Sequence, residues 1–303
     1  MKKLLTYLLF FILPIIILVL IIPVDKRLKY IGLKDDCFNH GIWIYDRINH
    51  NPKPIDIAFL GSSKTINGVN DKLISDSLES FSAANLGYCR LGRNLHYVLL
   101  KELVSVKRIK KLVLEVRKDE NKFSHPIFPF TADSKDVLFS NKSFNRDFLK
   151  DIWNHFSFKI ELFQDRLYKD SIVEYQLADF GHSAFDDTVH VEILEEHVQS
   201  ELINMREPLR IEDEYHRNFY KVYLRKISEI CSKNKIELYF LYIPSFRNKT
   251  DEIEEKHLYK SLGQLLIPPE IIYQDKNNWF DPDHLNSAGA QKLSDWLAIE
   301  LMK

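Results

Sequence analysis

Apolar and polar positions fall along this chain in blocks whose lengths differ sharply. From Leu4 to Val24 no side chain is charged. About twenty such residues, at about 1.5 Å rise each, cross the hydrocarbon core of a bilayer. Lys2 and Lys3 precede the run, and Lys26, Arg27 and Lys29 follow it. It ends Ile21-Ile22-Pro23-Val24-Asp25, without the small-x-small site of a cleaved signal peptide. The pattern predicts a retained signal anchor over residues 1–24, with a single-pass transmembrane helix over 4–24 in contact with lipid. Pro14 is tolerated inside such a helix. The flanking charges do not decide orientation, and a buried core helix is the other structure that such a run can form.

Residues 25–54 read as a mixed, polar connector closing on Asn51-Pro52-Lys53-Pro54. Beyond it the apolar runs shorten to strand length. Ile55 to Leu60, Ala83 to Leu86, Lys111 to Val116 and Ile236 to Ile243 are bounded by glycine, proline or charge, as expected of parallel strands buried on both faces. Ile271 to Tyr273 reads as a short edge strand. Between these runs lie helical patterns: Asn70 to Leu78, Leu91 to Lys107, the long helix marked by Tyr215, Phe219, Val222, Tyr223, Ile227 and Ile230, Asp251 to Leu262, and a last helix opening at Asn286 or Ser287. Strands alternating with helices predict an α/β fold, a three-layer α/β/α sandwich on a mostly parallel sheet of about five strands. Residues 117–210 break the alternation. They read as an insertion with helices around 144–168 and 189–205, placed to act as a lid, a substrate platform or a structural cap.

Composition changes this picture little. The net charge of -1 lacks the basic excess that nucleic acid requires, so no nucleic-acid partner is expected. The three cysteines, Cys37, Cys89 and Cys231, form no Cys-x-x-Cys pair and read as buried free thiols. With 9 glycines in the chain, those at strand exits carry weight.

Three short segments hold candidate chemistry, two of them at such exits. Gly61-Ser62-Ser63 follows the first strand, where glycine allows a tight turn and a serine can serve as nucleophile if a base reaches it. Gly87 follows the second strand, where a bare backbone N–H can face a developing oxyanion. Asp281-Pro282-Asp283-His284 precedes the last helix. A carboxylate three residues before an imidazole can hold its Nδ1–H and leave Nε2 free as a base. Taken singly, each segment also reads as an ordinary turn or helix cap. Asp281, Asp283 and His284 could instead bind a metal, though no second histidine stands at ligand spacing. Lys64 and Glu115 could pair beneath the site or be separately solvated and hydrogen-bonded. His182, His190 and His197 read as surface residues of the insertion. Phe123, Phe128, Phe130 and Trp153 read as core packing or as the lining of an acceptor groove.

Taken together, these segments resemble the SGNH, or GDSL-like, hydrolase superfamily over about Asp56 to Lys303. The resemblance implies the flavodoxin-like sandwich of that family over residues 55–303, interrupted by 117–210. It implies Ser63 as nucleophile, His284 as base and Asp281 as its orienting partner. Oxyanion donors would be the backbone N–H groups of Ser63 and Gly87. Two departures stand out. Ser62 occupies the usual Asp position, as in a membrane-anchored branch that includes proteins acting on surface polysaccharides and teichoic acids. No asparagine block follows the third strand, where Glu115-Val116-Arg117-Lys118-Asp119-Glu120-Asn121 offers Asn121 as a third donor.

The sequence thus predicts a membrane-anchored serine esterase or O-acyltransferase with an extracytoplasmic domain. Its expected substrate is an acyl ester, an acetyl ester first, of a cell-surface glycan. No metal or dissociable cofactor is expected, and a membrane acyltransferase is an expected partner. The competing expectation is a non-catalytic module that binds or assembles such a modification system.

Overall fold

The computed structural model describes residues 2–21, 26–31, 33, 36–118, 120–140, 144–168, 175–204, 211–247 and 253–303. The elements run α1 (Lys2–Ile21), α2 (Lys26–Ile31), α3 (His40–Asn49), β1 (Ile57–Leu60), α4 (Ser63–Gly68), α5 (Asp71–Leu78), β2 (Ala83–Asn85), α6 (Arg93–Val106) and β3 (Lys111–Val116). Then follow α7 (Phe128–Thr131), α8 (Ser134–Leu138), α9 (Phe148–Tyr168), α10 (Val191–Asn204) and α11 (Ile211–Asn234). The chain closes with β4 (Glu237–Tyr242), α12 (Lys256–Leu262), β5 (Gln264–Leu266), α13 (Glu270–Gln274) and α14 (Ser287–Met302).

The five strands form one sheet in the order β2-β1-β3-β4-β5, and every pairing is parallel. Successive side chains of a strand point to opposite faces, and both faces carry a buried apolar cluster. Ala58, Leu60, Leu112, Leu114, Leu238 and Phe240 pack with α3, α6, α11 and α12 through Ile44, Leu95, Leu99, Leu224, Ile227 and Tyr259. Ile57, Phe59, Val113, Tyr239 and Leu241 pack with α5, α13 and α14 through Ile74, Ile272, Leu293 and Leu297. The strand order reverses direction at β1, so the carboxyl ends of β1 and β3 open on the crevice where ligands bind in such sheets.

Several expectations need correction. The edge strand is Gln264–Leu266, paired with β4 from Tyr239↔Gln264, whereas Ile271 to Tyr273 lies in α13. Pro268 and Pro269 separate the two: proline fixes φ at a value suited to a helix start, and Pro269 is the residue preceding the first turn of α13. Within 25–54, read from the sequence as a mixed, polar connector, the chain forms α2 and α3. Ile44 and Ile48 are buried, and Arg47, also buried, donates to the carbonyls of Lys53, Pro54 and Asp179.

Cys37 and Cys89 are joined in a disulfide between residues 52 apart in sequence, with Cα atoms 5.5 Å apart. The segment before α3 folds back over the exit of β2, where Tyr88 Oη also donates to Asp36 at 3.0 Å. Of the three cysteines, Cys231 is the free, buried thiol, and burial pushes its pKa up to about 12.

Residues 22–24 of the expected membrane span lie outside the described residues. Among the described residues no helix is long and apolar enough to cross a membrane. Within α1 the described side chains of Leu4, Tyr7, Phe10, Phe11, Ile12, Leu13 and Ile17 are all exposed.

From the insertion, α7 and α8 pack on α9, and Phe128 meets Tyr223 of α11 edge-on. Residues 175–190 run without regular structure as a strap from α3 to the start of α14. Asp71 anchors the strap by accepting the N–H groups of Gly181 and His182 at 2.9 and 3.2 Å, together with that of Asn85 at 2.7 Å. Burial pushes the Asp71 carboxyl up to about 6. At the far end Phe185 stacks on Phe280, with ring centres 4.0 Å apart, beside the loop that carries His284.

Candidate active site

The turn after β1 is built on a buried carboxylate. Glu115, on β3 and 1% exposed, accepts from Ser62 N at 2.7 Å, Ser62 Oγ at 2.8 Å and Thr65 Oγ1 at 2.6 Å. Arg117 Nε donates to Glu115 Oε1 at 2.7 Å, the oxygen that Ser62 Oγ also reaches. Burial alone would raise the Glu115 pKa. The Arg117 charge and the hydrogen bonds from Thr65 and Ser62 outweigh burial and hold it at about 2.

Gly61 is required by this close approach. A Cβ there would lie 1.9 Å from Thr65 Oγ1 and 2.6 Å from Glu115 Oε2. Ser62 caps α4 by accepting Lys64 N–H on its Oγ at 3.1 Å. Ser63 is then the first residue of α4, so its backbone N–H has no helical carbonyl to meet, and its side chain is partly exposed at the sheet edge.

The opposite wall is the loop before α14. An antiparallel bridge between Trp279 and Leu285 pinches it closed, and Phe280 N donates to His284 O at 2.9 Å. Asp281 Oδ1 accepts the N–H groups of Asp283 and His284 at 2.7 and 2.8 Å. Asn286 caps α14 by accepting Gly289 N–H at 3.0 Å.

With both walls fixed in this way, His284 Nδ1 stands 2.8 Å from Asp281 Oδ2, and His284 Nε2 stands 2.8 Å from Ser63 Oγ. Both separations are within hydrogen-bond reach for a nucleophile, its base and the group orienting that base. Burial would raise the pKa of Asp281, and the hydrogen bond and charge of His284 outweigh it, leaving the carboxyl below its ordinary value.

Ser63 and His284 line a cleft of about 310 Å³ together with Lys64, Arg90, Leu91, Arg117, Asn121 and Asp283. Lys64 does not pair with Glu115. Its Nζ lies 2.9 Å from Asp283 Oδ1 and donates to Ser245 Oγ at 2.6 Å, and Ser245 donates on to Asp283 at 2.6 Å. Burial lowers the Lys64 pKa, with the nearby Arg117 charge acting in the same direction. Asp283 is thereby engaged as an ion-pair partner. Among the described residues no group of three or more His, Cys, Asp or Glu is placed to hold a metal ion.

The expected oxyanion donors are arranged differently from one another. Gly87 is buried behind the turn, and its N–H meets Asn85 Oδ1 at 3.2 Å instead of the cleft. Asn121 lines the cleft, but its amide donates to Leu91 O at 2.5 Å and its Oδ1 accepts Phe123 N–H at 3.0 Å.

Phe123, Phe128, Phe130 and Trp153 do not line this cleft. Phe128 is fully buried, Phe130 packs on the core and Trp153 is exposed. Of the three insertion histidines, His190 is exposed, while His182 is partly buried against Ile66 O, and His197 holds a buried Nε2 with no partner among the described residues.

Arg117, Arg90 and Ser245 were not singled out as site residues from the sequence. For Arg117 and Ser245 a positional signal exists: they follow β3 and β4 directly or nearly so, at the carboxyl ends where parallel sheets place their ligand-binding groups.

No protein-family model and no curated protein matches the chain. Among solved structures, one described as "a putative platelet activating factor from Streptococcus pneumonia" aligns over 89% of this chain and 94% of its own, at 12% identity and a TM-score of 0.43. A likeness of that size assigns neither a family nor an activity, and the chemistry of the cleft has to be read from its own residues.

Proposed function

We propose that this protein is a serine ester hydrolase or O-acyltransferase in which Ser63, His284 and Asp281 form the catalytic triad. The reading is carried by the hydrogen-bond chain from Asp281 through His284 to Ser63, at 2.8 Å on each side of the imidazole, in an open cleft. Ser63 Oγ attacks the acyl carbon and His284 Nε2 takes its proton. Asp281 holds the tautomer and stabilises the imidazolium. The acyl-enzyme then passes its acyl group to water or to a sugar hydroxyl. No step requires a cofactor.

In this reading the chain acts on acetyl or other small acyl esters of a surface glycan, as a single-pass membrane protein held by residues 4–24. An apolar sequence with no charge from Leu4 to Val24 and the exposed apolar side chains of α1 support the anchor. The Cys37–Cys89 disulfide supports an extracytoplasmic location, since disulfides persist in oxidising compartments.

A fluorophosphonate probe tests the nucleophile. Wild type is expected to label and to hydrolyse p-nitrophenyl acetate, and Ser63→Ala to do neither. Labelling that persists in Ser63→Ala rejects the assignment. A wild type that neither labels nor hydrolyses supports the second reading, a non-catalytic binding or assembly module. The observation favouring that module is that the Gly87 N–H and the Asn121 amide are both engaged away from the cleft.

A further inference from the structure

We infer that Arg117 supplies the oxyanion-stabilising hydrogen bond that neither Gly87 nor Asn121 is placed to give. The inference rests on the hydrolase reading above and adds to it a residue that the resemblance does not supply.

The cleft offers few free donors. Lys64 is held by Asp283 and Ser245. Asn121 donates to Leu91 O, and Gly87 lies behind the turn. Arg90 is exposed, on a backbone at φ 69°. It has no side-chain hydrogen bond or ion pair among the described residues to fix its guanidinium.

Arg117 differs in both placement and rigidity. β1 and β3 run parallel with Leu60 opposite Leu114. β1 ends at Leu60 while β3 runs on to Val116, so Arg117 stands just past the end of β3, within hydrogen-bond reach of Ser62 in the turn that precedes the nucleophile. Two of the guanidinium nitrogens are committed to the platform: Nε to Glu115 Oε1 at 2.7 Å, and Nη2 to the Oγ of Ser62, the residue before the nucleophile. Nη1 has no protein partner among the described residues, and the side chain lines the cleft beside Ser63 and His284. Glu115 thus holds both the nucleophile turn and a cationic donor in one fixed relation. A donor already oriented costs no reorganisation when charge develops.

In the step itself, the Ser63 oxygen bonds to the acyl carbon while its proton moves to His284 Nε2. The carbonyl π pair moves onto the acyl oxygen, where the Arg117 Nη1–H and the Ser63 backbone N–H donate to it. Collapse restores the carbonyl, breaks the bond to the leaving alkoxide oxygen, and returns the proton from His284 to that oxygen.

Steady-state hydrolysis of p-nitrophenyl acetate tests the role, because a neutral ester offers no charge for an arginine to bind in the ground state. Arg117→Ala is expected to lower kcat by about 10²–10³-fold, with KM changed by no more than about threefold. Guanidinium chloride at millimolar concentration is expected to restore part of the lost kcat. Arg117→Lys keeps a cation over Glu115, so it remains folded if Arg117→Ala does not, and its kcat is expected to lie between the two.

Wild-type kcat in Arg117→Lys and Arg117→Ala overturns the inference. So does a loss confined to KM with an ester bearing a carboxylate, which would make Arg117 an anchor for substrate charge. An inactive, unlabelled wild type overturns the hydrolase reading and this role together, whereas an active wild type with unimpaired variants overturns this role alone.

Discussion

Glu115→Gln is expected to unfold the protein more readily by several kcal/mol, although it changes one atom type. The carboxylate accepts Ser62 N–H, Ser62 Oγ–H, Thr65 Oγ1–H and Arg117 Nε–H at 2.6 to 2.8 Å, with the side chain fully buried. An amide has one acceptor oxygen and presents an NH₂ group on the other side. The two hydroxyls can rotate to accept from it, but the Ser62 N–H and Arg117 N–H cannot. Removing one member of a buried charge pair costs about 3–5 kcal/mol, and because Arg117 is 29% exposed this pair falls at the lower end of that range.

A second route gives a similar size. A fall from the ordinary 4.5 to about 2 corresponds to roughly 3 kcal/mol at 1.36 kcal/mol per pKa unit. Because the folded pKa is depressed, this stability is present above about pH 4.5 and is lost as pH falls toward 2. Urea unfolding followed by tryptophan fluorescence, at pH values from 7 to 2.5, reads both quantities. The variant is expected to lose about 3 kcal/mol at pH 7 at unchanged m-value. Below pH 4.5 the gap from wild type should close. A loss under about 1 kcal/mol, or a gap independent of pH, would refute the view of Glu115 as an ionised platform.

The triad and the disulfide each carry a test of their own. Asp281→Asn keeps the shape of the loop but presents an amide to His284 Nδ1, and kcat for ester hydrolysis is expected to fall by about 10⁴ with labelling slowed in proportion; activity within tenfold of wild type would show that Asp281 does not orient the base. Replacing both Cys37 and Cys89 by serine removes a link closing a loop of 52 residues and should cost about 4 kcal/mol by chain entropy, read as a lower urea midpoint that equals that of reduced wild type.

How much of this could be read from the chain depended on whether a feature was local. β1, β3 and β4 are buried almost throughout and appear in the sequence as mainly apolar runs, with Glu115 the charged residue inside β3, so their positions were legible to within about two residues. β5 was not, because Gln264-Leu265-Leu266 and Ile271-Ile272-Tyr273 are equally short and apolar, and only the pairing with β4 separates them.

The segments holding Ser63 and His284 were legible as candidates because each is a compact motif at an element boundary. The Cys37–Cys89 bond was not, since three cysteines allow more than one pairing and also none. Arg117 stayed hidden because a lysine- or arginine-rich segment after a strand usually reads as solvated. Its commitment to Ser62 and Glu115 becomes visible once β1 and β3 lie side by side.

That same adjacency accounts for the serine at position 62, where the resembled pattern carries aspartate. Ser62 is wholly buried, and its Oγ lies 2.8 Å from both oxygens of Glu115. Ser62→Asp would set a second carboxylate against the first, at a repulsion of about 4 kcal/mol for an effective dielectric of about 20, with Arg117 able to offset part of it. One of the two acids must then take up a proton, and its folded pKa rises. A raised carboxyl pKa gives stability that falls as pH rises from about 4 toward neutrality, opposite in sign to the wild-type behaviour of Glu115. The double variant Ser62→Asp/Glu115→Gln removes the clash and leaves one carboxylate to meet Arg117. It is therefore expected to be more stable at pH 7 than Ser62→Asp alone, with a favourable coupling energy in the four-member cycle. A coupling of zero, or a Ser62→Asp variant as stable at pH 7 as wild type, would mean that the residue at position 62 is indifferent to Glu115. The turn that presents Ser63 would then owe its shape to something other than the shared carboxylate.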